Sequence, residues 1–448
     1  MLLKNGNIVL EDSVFCGDLR ICDEKISEIA EDIQPYEGEG IIDVSGKFLM
    51  PGVIDGHVHY KMAIGKMYTI DNFETGSRAA IAGGVTTVVD FTDIVPDKSI
   101  IEALKKRIKE AEGHHFCDHT FHVSIDGNMS YSLKDLKEAR AMGVNSIKVY
   151  TTYSMIMDYD RIFDLMLLAR EAGMIVSVHA EDNNLLYSRK NELIDAGKTG
   201  LEYYGESRPV EAESQAIRKI VEFCEGNDVQ VHIMHVSSGT GANIIKESKL
   251  RGSKISAETC PQYLMLNNRL YQGTRKALYT ISPPLRDESE RLKLYRLFQD
   301  DLFDYIATDH CAFSSLQKEF SGKFYEVSGG MPGSETLLSI MHHCAVTLGE
   351  MSYIDLCQML STRPAKKFEL YPRKGIIKVG SDGDIVVFDP DIEHMFKDEG
   401  AHTASDFSPF AGKIVKGMPV MTILRGRVMF DHGLYPTGDA VGEFIRCS

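Results

Sequence analysis

Several features that would assign this sequence to a special class of protein are missing from it. It has no tryptophan and no Cys-x-x-Cys pair, and its nine cysteines are scattered, which favours reduced thiols over a disulfide framework. No segment approaches the roughly 20 consecutive apolar residues that cross a bilayer, so no membrane partner is expected. The first residues also lack the apolar core of a signal peptide. We therefore expect a cytoplasmic protein.

Basic residues are in deficit as well. The chain has 49 lysines and arginines against 65 aspartates and glutamates, a net charge of −16. Because phosphate contacts need a basic surface, this balance argues against a general nucleic-acid-binding protein. The length of 448 residues is enough for one large catalytic domain and a smaller second domain.

Both ends of the chain carry short stretches of alternating apolar residues, the pattern of β-strands. These stretches cover 2–10, 18–29 and 41–49 near the start, and 383–389 and 421–430 near the end. Two similar ends around a different middle predict one small β domain, built from residues 1–50 and 372–448.

The middle of the chain, residues 51–371, alternates short apolar runs with helix-like stretches. The runs include 84–91, 146–151, 174–179, 230–236 and 305–308, and the helix-like stretches include 99–112, 132–141, 159–172 and 211–224. Strands that alternate with helices predict a parallel sheet in an α/β fold. About 320 residues of this pattern suit a closed (β/α)₈ TIM-like barrel. An open doubly wound sheet is the alternative, but no G-x-G-x-x-G motif follows a strand.

Histidines and an aspartate fall where the predicted strands end. His57 and His59 follow an extended segment, and alternation along it points both imidazoles to one face, where they can share a metal ion. His179, His235 and Asp309 each end another apolar run, and a barrel gathers such positions at one mouth. This donor set suits Zn²⁺, and also Mn²⁺ or Co²⁺. Singly, each residue is also compatible with an ordinary polar role.

Lys148 lies within the apolar run 146–151, where an ammonium group is costly to bury. As a neutral amine it could add CO₂ and form a carbamate, an anionic ligand with two oxygens. Such a group can bridge two metals about 3.5–4 Å apart. The alternative is a surface lysine.

The segment 51–59, PGVIDGHVH, resembles the signature of the amidohydrolase superfamily. More closely, the chain resembles the hydantoinase/dihydropyrimidinase branch of the cyclic amidohydrolases. Further matching segments follow in the family's order: 74–80, 83–87, 179–182, 207–209, 235–238, 258–263, 282–286 and 308–311. The segment 375–385 resembles the superfamily's return to its β-sandwich.

The resemblance implies a complete two-metal site. His57, His59 and Asp309 would hold one metal, His179 and His235 the other, and a carbamate on Lys148 would bridge them. A bridging hydroxide would be the nucleophile, with Asp309 as general base and then general acid.

The resemblance also implies a substrate site. Tyr153 would stabilise the oxyanion, and the backbone at Ser282 and Gly329 would hold the edge of a cyclic imide. Ile64, Tyr150 and Met157 would line the pocket for the ring substituent. The family further implies a homotetramer.

Two positions depart from the family pattern. Gly329 stands where hydantoinases usually carry Asn, and a Gly-Gly pair here resembles allantoinases. Lys61 stands where dihydroorotases carry an Arg that binds the substrate carboxylate, and the Pro-Gly-Arg stretch of allantoinases and dihydroorotases is missing after His59. A lysine could bind an anion, but less selectively than a forked guanidinium.

Other histidines are interpreted as structural. The histidine-rich segment 114–122 has no counterpart among the family's ligands and is predicted to be a loop followed by a strand. His232 is three residues before His235 and is expected to point to the other face of its strand.

The predicted activity is hydrolysis of a cyclic ureide or imide, a hydantoin or a 5,6-dihydropyrimidine, to an N-carbamoyl amino acid. Allantoin opening is the alternative within the same chemistry. From another class, the alternative is a non-catalytic scaffold like the dihydropyrimidinase-like proteins that have lost metal ligands, although all six ligand positions are filled here.

Overall fold

The computed structural model describes residues 1–64, 67–95, 98–319, 321–436 and 438–447. Its middle part forms a sheet of eight parallel strands that follow one another in chain order. These strands are β6 (Val53–Asp55), β9 (Val85–Phe91), β10 (Asp118–Ser124), β11 (Ser146–Tyr150), β12 (Ile175–His179), β13 (Val231–Ile233), β14 (Ile255–Thr259) and β15 (Tyr305–Ile306). Between β6 and β9, a small hairpin is formed by β7 (Ala63–Ile64) and β8 (Met67–Tyr68).

The parallel sheet closes on itself beyond the ends of its first and last strands. Val58 forms a parallel bridge with His310, and the His59 N–H donates to the His310 carbonyl at 2.7 Å. All seven residues of β9 are buried, as expected of a barrel strand that is covered on both sides. The predicted (β/α)₈ barrel is therefore confirmed, and the open doubly wound alternative is wrong.

Helices cover the outside of the barrel. They are α1 (Phe73–Ala82), α2 (Ile100–Ala111), α3 (Leu133–Ala141), α4 (Tyr159–Ala172), α5 (Asn183–Asp195), α6 (Val210–Asn227), α7 (Gly239–Leu250), α8 (Pro261–Met265), α9 (Glu288–Gln299), α10 (Ser315–Lys318), α11 (Leu337–His342), α12 (Tyr353–Cys357) and α13 (Arg363–Lys367). Local signals set their limits: Ser99 and Glu102 form a capping box at the start of α2, and Gly173 ends α4 in the left-handed conformation. No helix in the described ranges is both long and apolar enough to cross a membrane.

The two chain ends meet in a second sheet of eight strands. Its members are β1 (Leu2–Val9), β2 (Val14–Cys22), β3 (Lys25–Ala30), β4 (Ile41–Asp43), β5 (Phe48–Pro51), β16 (Ile385–Met395), β17 (Ile414–Leu424) and β18 (Arg427–Asp431). The antiparallel pair β5–β16 joins the ends, with Ile385 opposite Pro51 and Phe388 opposite Phe48. This pairing confirms that both termini build the second β unit.

Strand limits inside this second sheet differ from the prediction. The segment 18–29 is a hairpin rather than one strand, because Asp23 and Glu24 take positive φ angles of 47° and 67° and turn the chain between β2 and β3. Alternation of apolar residues continues across such a turn, so the pattern alone does not reveal it.

The domain limits 1–50, 51–371 and 372–448 stay a prediction.

Candidate metal centre

Five of the eight barrel strands bring the predicted ligands to one mouth of the barrel. His57 and His59 follow β6, Lys148 lies within β11, and His179 ends β12. His235 follows β13 and Asp309 follows β15. Because all barrel strands are parallel, these carboxyl-terminal positions face a common centre.

The first donor set consists of His57, His59 and Asp309. The His57 Nε2 lies 3.1 Å from the His59 Nε2, and the Asp309 Oδ1 lies 3.1 Å from each of these nitrogens. Burial opposes ionisation of Asp309, yet the charge of His57 and the hydrogen bonds of His57 and His59 keep its pKa well below the usual range. Three buried donor atoms that converge in this way suit a divalent ion.

The second donor set consists of His179 and His235. The His179 Nδ1 lies 3.0 Å from the His235 Nε2, so one nitrogen of each ring points at the same place. Burial lowers the pKa of His179 to about 4, which keeps the imidazole neutral at physiological pH. Neutral imidazoles are the form that binds metals.

Lys148 lies between the two donor sets. Its side chain is 1% exposed, and burial lowers its pKa to about 8. Its positive charge acts on His59 of the first set and on both histidines of the second set, lowering the pKa of each. Its Nζ contacts the sulfur of Met234 rather than a carboxylate.

Glu258 is a buried carboxylate that forms hydrogen bonds with one residue of each donor set. Its Oε1 lies 2.5 Å from the His57 Nδ1 and accepts a hydrogen bond from the His235 backbone N–H at 3.2 Å. Its Oε2 lies 3.2 Å from the His232 Nε2. Hydrogen bonds of this kind fix the ring orientation of a metal-binding histidine. His232 has a structural role, as predicted, but its ring does not point away from the ligands: it contacts the same carboxylate as His57 and supports that ligand through Glu258.

A second buried carboxylate, Glu181, supports the other set. It lies 2.8 Å from the His179 Nε2 and forms an ion pair with Arg208. Arg208 also donates to the Tyr153 hydroxyl at 3.0 Å. Burial raises the pKa of Tyr153, so this phenol stays protonated and can donate a hydrogen bond.

Three residues of the mouth have strained backbone. Tyr153, His235 and Asp309 take positive φ angles of 71°, 38° and 52°, a backbone region that residues other than glycine and asparagine rarely adopt. Such strain tends to cluster at functional sites, where the surrounding structure holds it in place.

The donor sets open into a cavity of 1090 Å³. Of the residues expected to contact substrate, Tyr153, Ser282, Gly329, Ile64 and Tyr150 line its wall.

Met157 does not line the cavity. It is buried in the hydrophobic core at 1% exposure, and its N–H donates to the Tyr150 carbonyl. Met155 lines the cavity instead. The expected substituent pocket is corrected accordingly, with Met155 in the place of Met157.

Lys61 and the histidine-rich segment 114–122 do not contribute to the cavity. The ammonium group of Lys61 lies 3.8 Å from Glu110 at the surface, so it does not take the place of a carboxylate-binding arginine. In the histidine-rich segment, a loop precedes β10 as predicted, and His115 and His119 stack on each other with ring centroids 4.1 Å apart. Neither His115 nor His119 belongs to a group of described residues that could hold a metal.

Some residues of the site were not assigned a role from sequence. Glu181, Arg208 and Glu258 fall inside segments that match the family, and a charged residue at a buried strand end is itself a signal of a partner. Tyr204 and Lys318, which are considered below, lie in segments without regular alternation, where no pattern identifies them.

Comparison with known proteins gives consistent matches along the whole chain. The model of the amidohydrolase family matches residues 48–429. A D-phenylhydantoinase of Escherichia coli O81 (strain ED1a) is 31% identical over 450 residues, which cover 100% of this chain and 98% of that relative. Among solved structures, a dihydropyrimidinase from Brevibacillus agri NCHU1002 has a TM-score of 0.96 at 31% identity, covering 100% and 98% of the two chains. An L-hydantoinase (dihydropyrimidinase) from Arthrobacter aurescens has a TM-score of 0.90 at 27% identity, covering 99% of each chain.

Proposed function

This chain belongs to the amidohydrolase family, in its hydantoinase and dihydropyrimidinase branch, and we propose that it uses two divalent metal ions to open the ring of a hydantoin or a 5,6-dihydropyrimidine. The chain is a hydrolase of cyclic amides. One observation carries the metal part of the proposal: two sets of converging donor atoms, with Lys148 between them, lie at the wall of a large cavity. The scaffold alternative has no support from these relatives.

The residues present fit two metal ions. His57, His59 and Asp309 would hold one ion, and His179 and His235 the other. Imidazole and carboxylate donors suit Zn²⁺, with Mn²⁺ and Co²⁺ as alternatives. Bound ions of this kind lower the pKa of water and polarise a carbonyl group.

Lys148 would complete the site as a carbamate. Its amine nitrogen would add to the carbon of CO₂ and lose one proton, which gives an anionic ligand with two oxygens. The place of Lys148, electrostatically coupled to histidines of both donor sets, suits a group that links them. An uncharged or cationic lysine would contribute no such ligand.

Asp309 and Tyr153 would carry the proton transfer and the charge stabilisation. Asp309, ionised in this site, would accept a proton from the attacking water and deliver it to the leaving ring nitrogen. The protonated Tyr153 hydroxyl would donate to the oxyanion that develops on the carbonyl oxygen. As the C–N bond breaks, the ring opens to an N-carbamoyl amino acid.

The cavity wall suggests how the ring is bound. Ser282 and Gly329 would hold its polar edge, while Ile64, Tyr150 and Met155 would contact the substituent. This wall suits an unsubstituted or apolar ring.

A homotetramer and a cytoplasmic location stay predictions from the family resemblance and the sequence.

A substrate panel tests the proposal. Purified protein loaded with Zn²⁺, Mn²⁺ or Co²⁺ is incubated with hydantoin, dihydrouracil, allantoin and dihydroorotate, and the carbamoyl product is quantified. We expect hydantoin or dihydrouracil to be opened fastest, with no turnover by the Asp309→Asn variant. Faster opening of allantoin would favour the alternative activity, and no opening of any of the four rings would contradict the proposal.

A further inference from the structure

Three hydroxyl groups and one glycine meet at the edge of the cavity. The Tyr204 hydroxyl lies 2.8 Å from the Ser282 hydroxyl, and Ser282 in turn interacts with the Tyr153 hydroxyl. Gly329 lies beside the Tyr204–Ser282 pair, and all four residues line the cavity. Tyr204 is buried, so its hydroxyl depends on this partner rather than on solvent.

A side chain at position 329 would collide with this pair. A Cβ atom there would lie 2.9 Å from the Ser282 Oγ and 3.0 Å from the Tyr204 hydroxyl oxygen. It would also approach the Ser282 backbone nitrogen at 3.3 Å. These contacts are shorter than normal van der Waals distances between carbon and oxygen. The space next to Gly329 is therefore already occupied by the hydroxyl groups of Ser282 and Tyr204.

Hydrogen bonds hold the backbone on both sides of Gly329. The ammonium group of Lys318, which is 1% exposed, donates to the carbonyls of Thr280, Ser328 and Gly330 at 2.7, 2.8 and 2.7 Å. The Gly330 N–H also donates to the Thr280 carbonyl at 2.9 Å. These bonds tie the segment before Ser282 to both neighbours of Gly329.

Conformation does not explain the glycine at this position. Gly330 has a φ of 150°, which disfavours other residues, whereas Gly329 is not among the positive-φ glycines. The contact with Tyr204 and Ser282 is thus the physical reason for a glycine at position 329.

We propose that Tyr204 is a specificity-determining positioning residue, which orients the Ser282 hydroxyl toward the polar edge of the substrate ring and requires glycine at position 329. The inference rests on the proposed ring-opening function and adds a residue to its substrate site. With the Tyr204 hydroxyl bound to Ser282, two hydroxyls rather than a side chain at 329 form this wall. The ring is then selected for hydrogen-bonding atoms at that edge.

A double-mutant cycle tests the pair, with Gly329→Ala, Tyr204→Phe and the double variant measured on the ring that is opened fastest. Tyr204→Phe should raise KM about fivefold with little change in kcat, because a hydrogen bond that positions Ser282 is lost. Gly329→Ala should raise KM about tenfold or more in the wild-type background but only about twofold in the Tyr204→Phe background, where the tyrosine hydroxyl is gone and the Ser282 hydroxyl, no longer bound to it, can rotate away from the methyl group.

Gly330→Ala is the matched control. A Cβ at this position meets the Cys311 backbone oxygen, not Tyr204, and the φ angle is unfavourable as well. Its effect on KM should therefore be the same with and without Tyr204→Phe. Metal content should equal that of the wild type in every variant, since none of these residues belongs to a donor set.

The thermal midpoint of each variant gives a readout that needs no substrate. Gly329→Ala should lower Tm more in the wild-type background than in the Tyr204→Phe background. If no ring is opened by the wild type but this difference in Tm is found, the function is wrong and the structural coupling stands. If rings are opened but the effects of Gly329→Ala are equal in both backgrounds, the inference is overturned and the function stands.

Discussion

Two groups of buried residues at opposite ends of the barrel look alike by distance and differ in chemistry. At the mouth, the donor atoms of His57, His59 and Asp309 lie within 4.8 Å of one another. Asp118, Asp382 and Asp384 do the same near the amino-terminal end of β10, and we call these three the floor cluster. Both groups could hold a metal on geometry alone.

The floor cluster is neutralised by the chain itself. The Lys374 Nζ lies 2.5, 2.8 and 2.7 Å from oxygens of Asp118, Asp382 and Asp384, and Arg425 forms a further ion pair with Asp118. Burial opposes ionisation of Asp118, but the charges of Lys374 and Arg425 keep its pKa below the usual value. The cluster therefore joins the barrel to the second sheet and leaves no place for an ion.

The donors at the mouth converge without a lysine or arginine ion-paired to them in the described part of the chain. The lysine of the mouth, Lys148, contacts a sulfur atom, and the donors face a large cavity. The comparison teaches that the distance between acidic or imidazole groups does not by itself identify a metal site. The two groups differ in whether a lysine or an arginine already neutralises the carboxylates.

Asp309→Asn is expected to give the largest effect. An amide removes the negative ligand and the proton acceptor together, so kcat/KM should fall by about 10⁴-fold. The matched control is Asp384→Asn in the floor cluster, which should lower Tm while leaving the activity of the folded protein near that of the wild type. Equal losses of activity in both variants would break the comparison.

Lys148→Ala is expected to come next, with a loss of about 10³-fold in activity and a lower metal content. Short carboxylic acids such as acetate should restore part of the activity, since a carboxylate can take the place of the missing carbamate. They should not restore Asp309→Asn. Full activity of Lys148→Ala without any additive would refute the bridging role.

Lys374→Met tests whether the floor cluster is stabilised by its own lysine. Removing the cation leaves Asp384 without an ion-pair partner and leaves Asp118 and Asp382 each with one cation fewer, which should cost about 3 kcal/mol of unfolding free energy in urea titrations. Lys246→Met provides the control, because Lys246 pairs with Asp300 at the surface and should contribute about 0.5 kcal/mol or less. A loss for Lys374→Met no larger than that of the control would show that the floor cluster is not held by Lys374.

The smallest effect is a pH dependence of the floor cluster. Burial alone would raise the pKa of Asp382, but the charge of Lys374 and hydrogen bonds from Lys25 and Lys374 lower it to about 2. A carboxyl group with a depressed pKa stabilises the fold above its unfolded value near 4, and this contribution is lost as the pH falls towards 2. The Tm of the wild type should thus fall more steeply between pH 4 and 2 than that of Asp382→Asn. Parallel curves would argue against the ion pair.

Periodicity in the sequence favoured the barrel over an open sheet, and the family resemblance completed the ligand set. Parallel strands that alternate with helices bring their carboxyl ends together, so His179, His235 and Asp309 are expected in one site. The pairing of the chain ends was predicted as well, since both carry the same two-residue alternation.

The remaining features depend on contacts between distant segments. Lys374 and Asp118 are 256 residues apart, and no local pattern links them. The same holds for Tyr204 and Gly329, whose contact arises only when two loops meet above the barrel. Met155 lines the cavity whereas Met157, two residues later, is buried in the core, and the local sequence does not distinguish these two methionines.

Metal analysis of the purified wild-type protein tests the central claim most directly. Protein prepared with Zn²⁺ available and then freed of loosely bound ions is analysed by inductively coupled plasma mass spectrometry. We predict two ions per chain, held by the two donor sets at the mouth. Fewer than one ion per chain would contradict the two-metal site.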